Sequence, residues 1–328
     1  MRGTNPPTED TMSQDRQNEE INPKDFDPRG HIEDMRDKWL LLLDDLNAIP
    51  GVVQTTLSQG GSRKSWAGIE KGTEYIMMAW PAESTLRSAV VVAGPEEGKL
   101  EPRAVFPFLE GIPNMLQIEA VHGWQDGVQG EAGVLPSEDS PLIWFYDPLF
   151  FRDRNVDLTF GVTQSFVLAG LCYGIQRTLI DEITLTDGPR YEEYAAGWLA
   201  EHPGKKSHEV PPLKIDMRGK RILGGTQYSS MYQARTMIED EPVSFMFGPE
   251  GAQVKIYRFP VVFGEKNPIA IMIYAPEKAC KNGYVPEKGH DVEMLFWLQG
   301  RITDYEDVTF GNAPEAPVQQ GKIIKNIL

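Results

Sequence analysis

The sequence is poor in cysteine and has no long apolar run. Its 328 residues include only two cysteines, Cys172 and Cys280. Neither lies in a CxxC or Cys/His spacing, which excludes a disulfide framework and a structural zinc site, and we expect two buried thiols. No run approaches the roughly 18 apolar residues of a membrane-spanning helix, and the N-terminal segment lacks the layout of a secretory signal. We therefore expect a cytoplasmic protein that does not enter a membrane.

The sequence also lacks the motifs of common reactions. It contains no phosphate-binding loop, nucleophile elbow, dinucleotide-binding fingerprint or metal-ligand spacing. The segment SQGGSRKS at 58–65 has glycines close to Lys64 and Ser65, but Arg63 precedes the lysine and a strand-like run follows. A phosphate-binding loop ends in Gly-Lys-Ser/Thr and enters a helix, so we interpret this segment as a hairpin turn. We predict no cofactor and no metal.

Positive charge is in deficit. The chain has 32 Lys and Arg against 48 Asp and Glu, a formal net charge of −16. Most of the acid excess falls in the first half of the sequence. Such a surface repels nucleic acid unless a local basic patch overrides it.

The N-terminal part divides into a polar segment and a helix. Residues 1–30 are acidic and contain almost no large apolar side chains, so we expect them to be disordered. Residues 31–48 form an amphipathic pattern with period three to four, which predicts a helix that ends before Pro50. Its apolar stripe is Ile32, Met35, Trp39, Leu42 and Leu46. We expect this helix to dock on its own domain; the alternative is an oligomerisation helix.

Residues 51–204 are predicted to form a β-rich domain with a C-terminal helix. Short runs rich in β-branched and aromatic residues, such as EYIMMAWP and LRSAVVVAG, alternate with turn residues and are typical of strands. The run QSFVLAGLCYGI fits either a strand or a short buried helix. The segment PRYEEYAAGWLAEHPG at 189–204 has a proline in its first turn and a glycine after its end, which predicts the helix.

A basic linker over 205–220 separates this domain from a second run of strands. Residues 221–305 contain about five strand patterns with regular turns, which suits a small barrel, and 306–328 form a tail. The segment PEKGHDVEMLFWLQGRI places a glycine turn before a long aromatic strand with a second glycine, Gly300. This layout resembles the closing part of an OB-like β-barrel. OB-like barrels bind oligonucleotides or other oligomers on one sheet face, and some are assembly modules.

The predicted fold class is mainly β, or β-rich α+β. We expect β-barrel or β-sandwich modules, the C-terminal one OB-like, with two short peripheral helices.

Three groups of residues are candidates for acid, base or hydrolytic chemistry. Glu119, His122, Asp126 and Glu131, around Trp124, form the densest group and are the basis of the alternative function, a hydrolase. The other interpretation is one half-buried histidine among solvated strand carboxylates. The segment FYDPLFFRDRNVD at 145–157 is interpreted as a buried corner at Asp147-Pro148 with an ion-pair rim. That rim comprises Arg152, Asp153, Arg154 and Asp157. His290 and Asp291 are adjacent on a strand and point to opposite faces, so we discount them as a pair.

One basic set opposes the acidic chain and gives the predicted binding surface. Cations that follow phosphates, together with rings that stack on bases, are typical of single-stranded nucleic-acid surfaces. The same set would also suit an acidic protein partner or the acidic half of another copy; alternatively, its lysines are only solvated and its rings lie in the core. The set comprises Lys205, Lys206, Lys214, Arg218, Lys220, Arg221, Tyr228, Tyr232, Arg235, Lys255, Tyr257 and Arg258, with Trp297 nearby in sequence.

These patterns predict a non-catalytic binding or assembly protein. Its partners would be a protein, a second copy of itself, or single-stranded nucleic acid. The alternatives are a structural subunit of a homo-oligomer or larger complex, and the hydrolase.

Overall fold

The computed structural model describes residues 35–67, 72–95, 99–124, 126–154, 160–227, 230–264 and 266–303. The fold is mainly β, as the sequence predicted. The predicted disordered segment 1–30 and tail 306–328 lie outside these residues. The helices are Arg36–Leu42 (α1), Ile49–Gln59 (α2), Phe150–Arg154 (α3) and Pro189–Glu201 (α4). In the described part of the chain, no helix is both long and apolar enough to cross a membrane.

The strands alternate with glycine and proline turns along the chain, as their β-branched and aromatic runs predicted. In order they are Ser62–Ala67 (β1), Thr73–Trp80 (β2), Leu86–Pro95 (β3), Glu101–Leu109 (β4), Ile112–Gly123 (β5), Gly130–Leu135 (β6), Ile143–Asp147 (β7), Thr163–Arg177 (β8), Glu182–Leu185 (β9), Leu213–Asp216 (β10), Ile222–Gly225 (β11), Met231–Met237 (β12), Val243–Phe247 (β13), Val254–Phe263 (β14), Ile269–Pro276 (β15) and Asp291–Ile302 (β16).

Five strands close into a barrel in the order β5, β6, β7, β16, β8. Neighbours are antiparallel except β7 and β16, which are parallel and meet at Tyr146 and Gln299. The run QSFVLAGLCYGI lies in β8, which resolves its ambiguity in favour of a strand. Gly300 lies on β16, where an added Cβ would come 2.7 Å from Phe145 and 2.8 Å from Leu168. Both of these side chains belong to the buried core.

The barrel occupies a different part of the chain from the segment 221–305, where the sequence placed it. Four of its strands come from residues 112–177, and only β16 comes from 221–305. The intervening strands extend the same sheet instead: β11 and β12 add to β16, while β13, β14 and β15 add to β8. Strand patterns indicate which residues are extended, but partners far apart in sequence are chosen by packing.

A second sheet, ordered β1, β2, β3, β4, covers one outer face of the barrel. The side chain of Gln299 on β16 accepts a hydrogen bond from Leu109 N and donates one to Pro107 O, both at 2.9 Å. Tyr146 and Trp297 of the barrel are fully buried and belong to one apolar cluster with Trp39 and Leu42 of α1. Helix α1 is thus docked on its own chain, as expected.

The prediction of a single helix over 31–48 was wrong at its C-terminal end. Helix α1 ends at Leu42, a 3₁₀ turn follows at Leu46–Ala48, and α2 begins at Ile49. Pro50 lies in the first turn of α2. Proline fits there because the first N–H groups of a helix have no intrahelical partner. The proline therefore begins a helix rather than ending one, and residues 31–34 lie outside the described part.

Residues 178–220, which we call the arm, leave the barrel after β8 and return before β11. The arm contains the antiparallel pair β9 and β10, helix α4 and a 3₁₀ turn at Ser207–Glu209. Helix α4 confirms the helix predicted at 189–204, while the predicted linker 205–220 contains β10. Asp291 of β16 anchors the arm, because its Oδ2 accepts from Gly219 N at 2.8 Å and its backbone oxygen accepts from Thr178 N at 2.9 Å.

Candidate docking surface

The arm has almost no interior of its own. Only Thr178 and Val210 of its residues are buried. Leu179 is 86% exposed, Ile180 52% and Ile183 36%. Helix α4 has no buried residue. The ring of Trp198 stacks on that of His202, just after the helix, with 4.0 Å between the ring centroids. The arm thus presents apolar side chains to its surroundings on a two-stranded sheet and one helix.

Six of the predicted binding cations lie on the arm or at its end. Lys205 pairs with Glu209 at 2.8 Å and Lys214 with Glu182 at 2.8 Å. Arg218 pairs with Asp216 at 2.7 Å, and Arg221 pairs with Glu239. The remaining two, Lys206 and Lys220, are exposed.

Each of these four pairs sets a cation against a nearby carboxylate. The hydrogen bond from Arg218 holds the pKa of the Asp216 carboxyl below its usual value, and Lys205 does the same for Glu209. Exposed pairs of this kind add little stability. Their effect here is to neutralise much of the basic patch that the sequence suggested.

The other predicted residues are dispersed. Tyr232 and Tyr257 are buried, and the Tyr232 hydroxyl bonds to the backbone N and O of Trp144 at 2.8 and 3.0 Å. Burial raises the pKa of Tyr232 to about 12. Lys255 lies 4.8 Å from the ring of Tyr257. These tyrosines are therefore core residues rather than exposed stacking platforms.

The two predicted arginines of the strands lie near opposite ends of the strand order of the large sheet. Arg235 is on β12, beside barrel strand β16, whereas Arg258 is on β14, beyond β8 and β15. Trp297 is buried in the core, and Tyr228 lies outside the described residues. The members of the predicted set that the structure describes do not form one surface.

Two carboxylates of the predicted hydrolase group form local hydrogen bonds. Glu119 is exposed and its Oε1 accepts from Gln117 Nε2 at 2.6 Å. Asp126 Oδ1 accepts from the backbone N atoms of Val128 and Gln129 at 2.9 and 3.0 Å, so this carboxylate shapes the β5–β6 turn. His122 faces Glu131 across the strands. Among the described residues, no group of three or more His, Cys, Asp or Glu is arranged to hold a metal ion.

The corner around Asp147 is buried, as predicted. Asp147 Oδ1 accepts from Leu149 N at 2.9 Å, and Asp153 accepts from Arg152 Nε at 2.8 Å and from Ile302 N at 2.9 Å. Arg152 and Asp153 are themselves buried rather than at a rim. Burial raises the pKa of the Asp147 carboxyl well above its usual value, and the Asp153 charge raises it further. The side chain of Arg154 and residue Asp157 lie outside the description.

Two cavities lie beside the strands that carry predicted residues. One, of about 600 Å³, is lined by Arg221, Tyr232, Trp144 and the β14–β15 turn. The other, of about 470 Å³, opens on the face formed by β11, β12, β16 and β8 and includes Arg235. Sequence analysis missed Lys281 in this second cavity, because a lone lysine in the turn Lys281-Asn282-Gly283 carries no signal beyond that turn.

Comparisons of the chain with protein-family models, with curated proteins and with solved structures found no match.

Proposed function

We propose that this protein is a non-catalytic assembly protein whose arm docks onto a second copy of the same chain. The observation that carries the proposal is the exposure of Leu179, Ile180 and Ile183 on an element in which only Thr178 and Val210 are buried. The closed barrel and its covering sheet are the scaffold from which the arm is presented.

The arm gains stability when another surface covers it. An isolated two-stranded sheet is marginal in water, and helix α4 buries no residue that would support it. Burying a side chain such as leucine or isoleucine contributes about 1.5–3 kcal/mol. Covering Leu179 and Ile180 therefore supplies free energy both for association and for ordering the arm.

Charge does not oppose a second copy as the occupant. The whole chain carries −16, so two copies repel over most of their surfaces. The arm holds eight acidic and six basic residues, and three of those basic residues form ion pairs described above. With a net charge of −2, the arm adds little to the repulsion between two acidic copies.

Single-stranded nucleic acid is the weaker candidate. The five closed strands and the short helix α3 between the third and fourth support the OB-like resemblance. OB folds bind oligomers over their second and third strands, which are β6 and β7 here. Tyr146 of β7 is fully buried. Its ring packs against that of Phe106 on the covering sheet, with 6.4 Å between the ring centroids. The chain itself occupies part of that face.

Light scattering on the purified full chain tests the proposal. We expect the wild type to exceed the monomer mass of 36.8 kDa, and the variant Leu179→Asp/Ile180→Asp to return to that mass. Leu100→Asp, at a residue 40% exposed just before β4, is the matched control and keeps the wild-type mass. A monomeric wild type at about 100 μM, far above a typical micromolar dissociation constant, or an unchanged mass in the double variant, would overturn it.

A further inference from the structure

Four adjacent strands place a row of polar side chains on the floor of the 470 Å³ cavity. The strand register sets Ile222 beside Arg235, Arg235 beside Glu293, and Glu293 beside Gln176. Because residues two apart on a strand share a face, the next row on that face is Gly224, Gln233, Leu295 and Gly174. The floor thus combines a guanidinium, a carboxylate and two amides.

Arg235 has more donors than the protein fills. The residue is 6% exposed, and its Nη1 lies 3.8 Å from Glu293 Oε1, too far for a strong hydrogen bond. Its Nε and Nη2 are buried and have no hydrogen-bond partner among the described residues. A buried donor without a hydrogen-bond partner raises the free energy of the folded protein, so a bound acceptor would stabilise this guanidinium.

Lys281 supplies a second cation at the wall of the cavity. The isolated bridge between Ile175 and Cys280 fixes the chain beside β8, and Asn282 adopts a left-handed conformation with φ 55° to turn it. A Cβ on Gly174 would lie 3.4 Å from Lys281 Cε, so the lysine stem passes over that glycine. Its ammonium forms no ion pair with the residues that the structure describes.

Glycines keep the cavity open. A Cβ added at Gly224 would have only Gln233 O nearby, at 3.9 Å, so a side chain there would extend into open space. Gly174 and Gly224 thus lie at the two ends of the second row and leave room above Gln233 and Leu295.

We propose that this cavity is a binding site for a singly charged oxyanion group of a small ligand, with Arg235 and Lys281 as its cationic contacts. Guanidinium and ammonium groups form the strongest hydrogen bonds that proteins offer to carboxylates and phosphates. Gln176 and Gln233 add amide donors at the floor.

Glu293 limits the charge of the ligand. It also accepts a hydrogen bond from Thr178 Oγ1 at 2.9 Å, which holds the carboxylate at the edge of the row. Two cations and one carboxylate leave one net positive charge, which matches a carboxylate better than a doubly charged phosphate. This site lies on β11, β12, β16 and β8, and its lining includes none of the exposed apolar residues of the arm.

Calorimetric titration of the full chain with acetate, succinate and inorganic phosphate at constant ionic strength tests the site. We expect saturable binding at one site per chain. Lys281→Gln should weaken it about tenfold, the loss of one charge-assisted hydrogen bond. Gly224→Leu should abolish binding by filling the cavity. Lys288→Gln changes an exposed lysine outside the cavity and is the matched control.

The outcomes separate the sources of the oxyanion. Stronger binding of acetate or succinate identifies a carboxylate ligand. Stronger binding of phosphate identifies a phosphoryl group and contradicts the charge match inferred from Glu293. Arg235→Gln is a further variant, but it changes a buried residue. Lys281→Gln is the decisive test of anion binding, because Lys281 is exposed and its replacement does not disturb the core. Absence of saturable binding by all three anions, or equal affinity in Lys281→Gln and wild type, would overturn the proposal whatever the oligomeric state.

Discussion

The side chain of Gln299 and the backbone N of Leu109 are joined by a 2.9 Å hydrogen bond across 190 residues of sequence. Leu109 is on the covering sheet and Gln299 on the last barrel strand, so this bond fixes one sheet against the other. The same amide donates to Pro107 O at 2.9 Å. One buried side chain therefore satisfies two backbone groups at a place where two sheets meet.

Replacing Gln299 by leucine should destabilise the fold by about 2–4 kcal/mol, because each buried backbone group left without its partner costs about 1–3 kcal/mol. Urea unfolding followed by tryptophan fluorescence measures this change. Gln253→Leu alters an exposed glutamine and should change the free energy of unfolding by less than about 0.5 kcal/mol. Equal stabilities of the two variants would contradict the account of the sheet interface.

Asp147 should make the protein less stable as the pH rises. Burial raises the pKa of its carboxyl well above the unfolded value of 3.8. The folded state then binds the proton more tightly than the unfolded chain, so the associated stability is complete below the unfolded pKa and is lost as the pH rises through the folded pKa.

Asp147→Asn removes this ionisation, and its amide oxygen can still accept from Leu149 N. We expect the urea midpoint of the variant to fall less than that of the wild type between about pH 4 and pH 8. Asp139→Asn, at an exposed aspartate, is the control. Parallel midpoint curves for Asp147→Asn and wild type would show that the folded carboxyl keeps its ordinary pKa.

Two glycines should respond to alanine in opposite directions. Gly300→Ala forces a methyl group to within 2.7 Å of Phe145 in the barrel and should cost about 1–3 kcal/mol. Gly197 lies in the exposed helix α4 with nothing within 4 Å of an added Cβ. Gly197→Ala should therefore stabilise that helix by about 0.5–1 kcal/mol. Urea unfolding checks the first change, and hydrogen exchange of α4 checks the second.

Both cysteines should be inert in the native protein. Burial raises the pKa of the two thiols, that of Cys280 to about 11, and thiolates are the reactive species. We expect no labelling by Ellman's reagent at about pH 8, where an ordinary thiol near pKa 8.5 reacts, and two equivalents after unfolding. Rapid labelling of either thiol in the folded protein would contradict their burial.

The local patterns of this sequence predicted most strands and helix α4, because alternation, β-branching and a first-turn proline act over neighbouring residues. They did not locate the barrel. Strand β16 looks like the end of a module that begins near residue 221, yet its barrel partners are β7 and β8, far earlier in the chain. That choice depends on packing between distant segments, which no local pattern encodes.

The candidate site shows the same limit. Alternation gives Tyr232 and Tyr257 the same signal whether a ring lies in the core or on a binding face. In the sequence, nothing indicates that Lys214 is paired, because its partner Glu182 is 32 residues away. Arg235 was found in the basic set, but its row with Glu293 and Gln176 follows only from the register.

Hydrogen exchange of the arm, measured by mass spectrometry in dilute and concentrated solution, tests the assembly proposal most directly. Segments 182–185 and 189–201 should exchange at least about tenfold more slowly in the concentrated wild type, since docking adds free energy to local opening. In Leu179→Asp/Ile180→Asp, these segments should exchange at the dilute rate in both solutions, while β8 stays unchanged. Arm amides of the wild type that exchange equally fast at both concentrations would contradict the account.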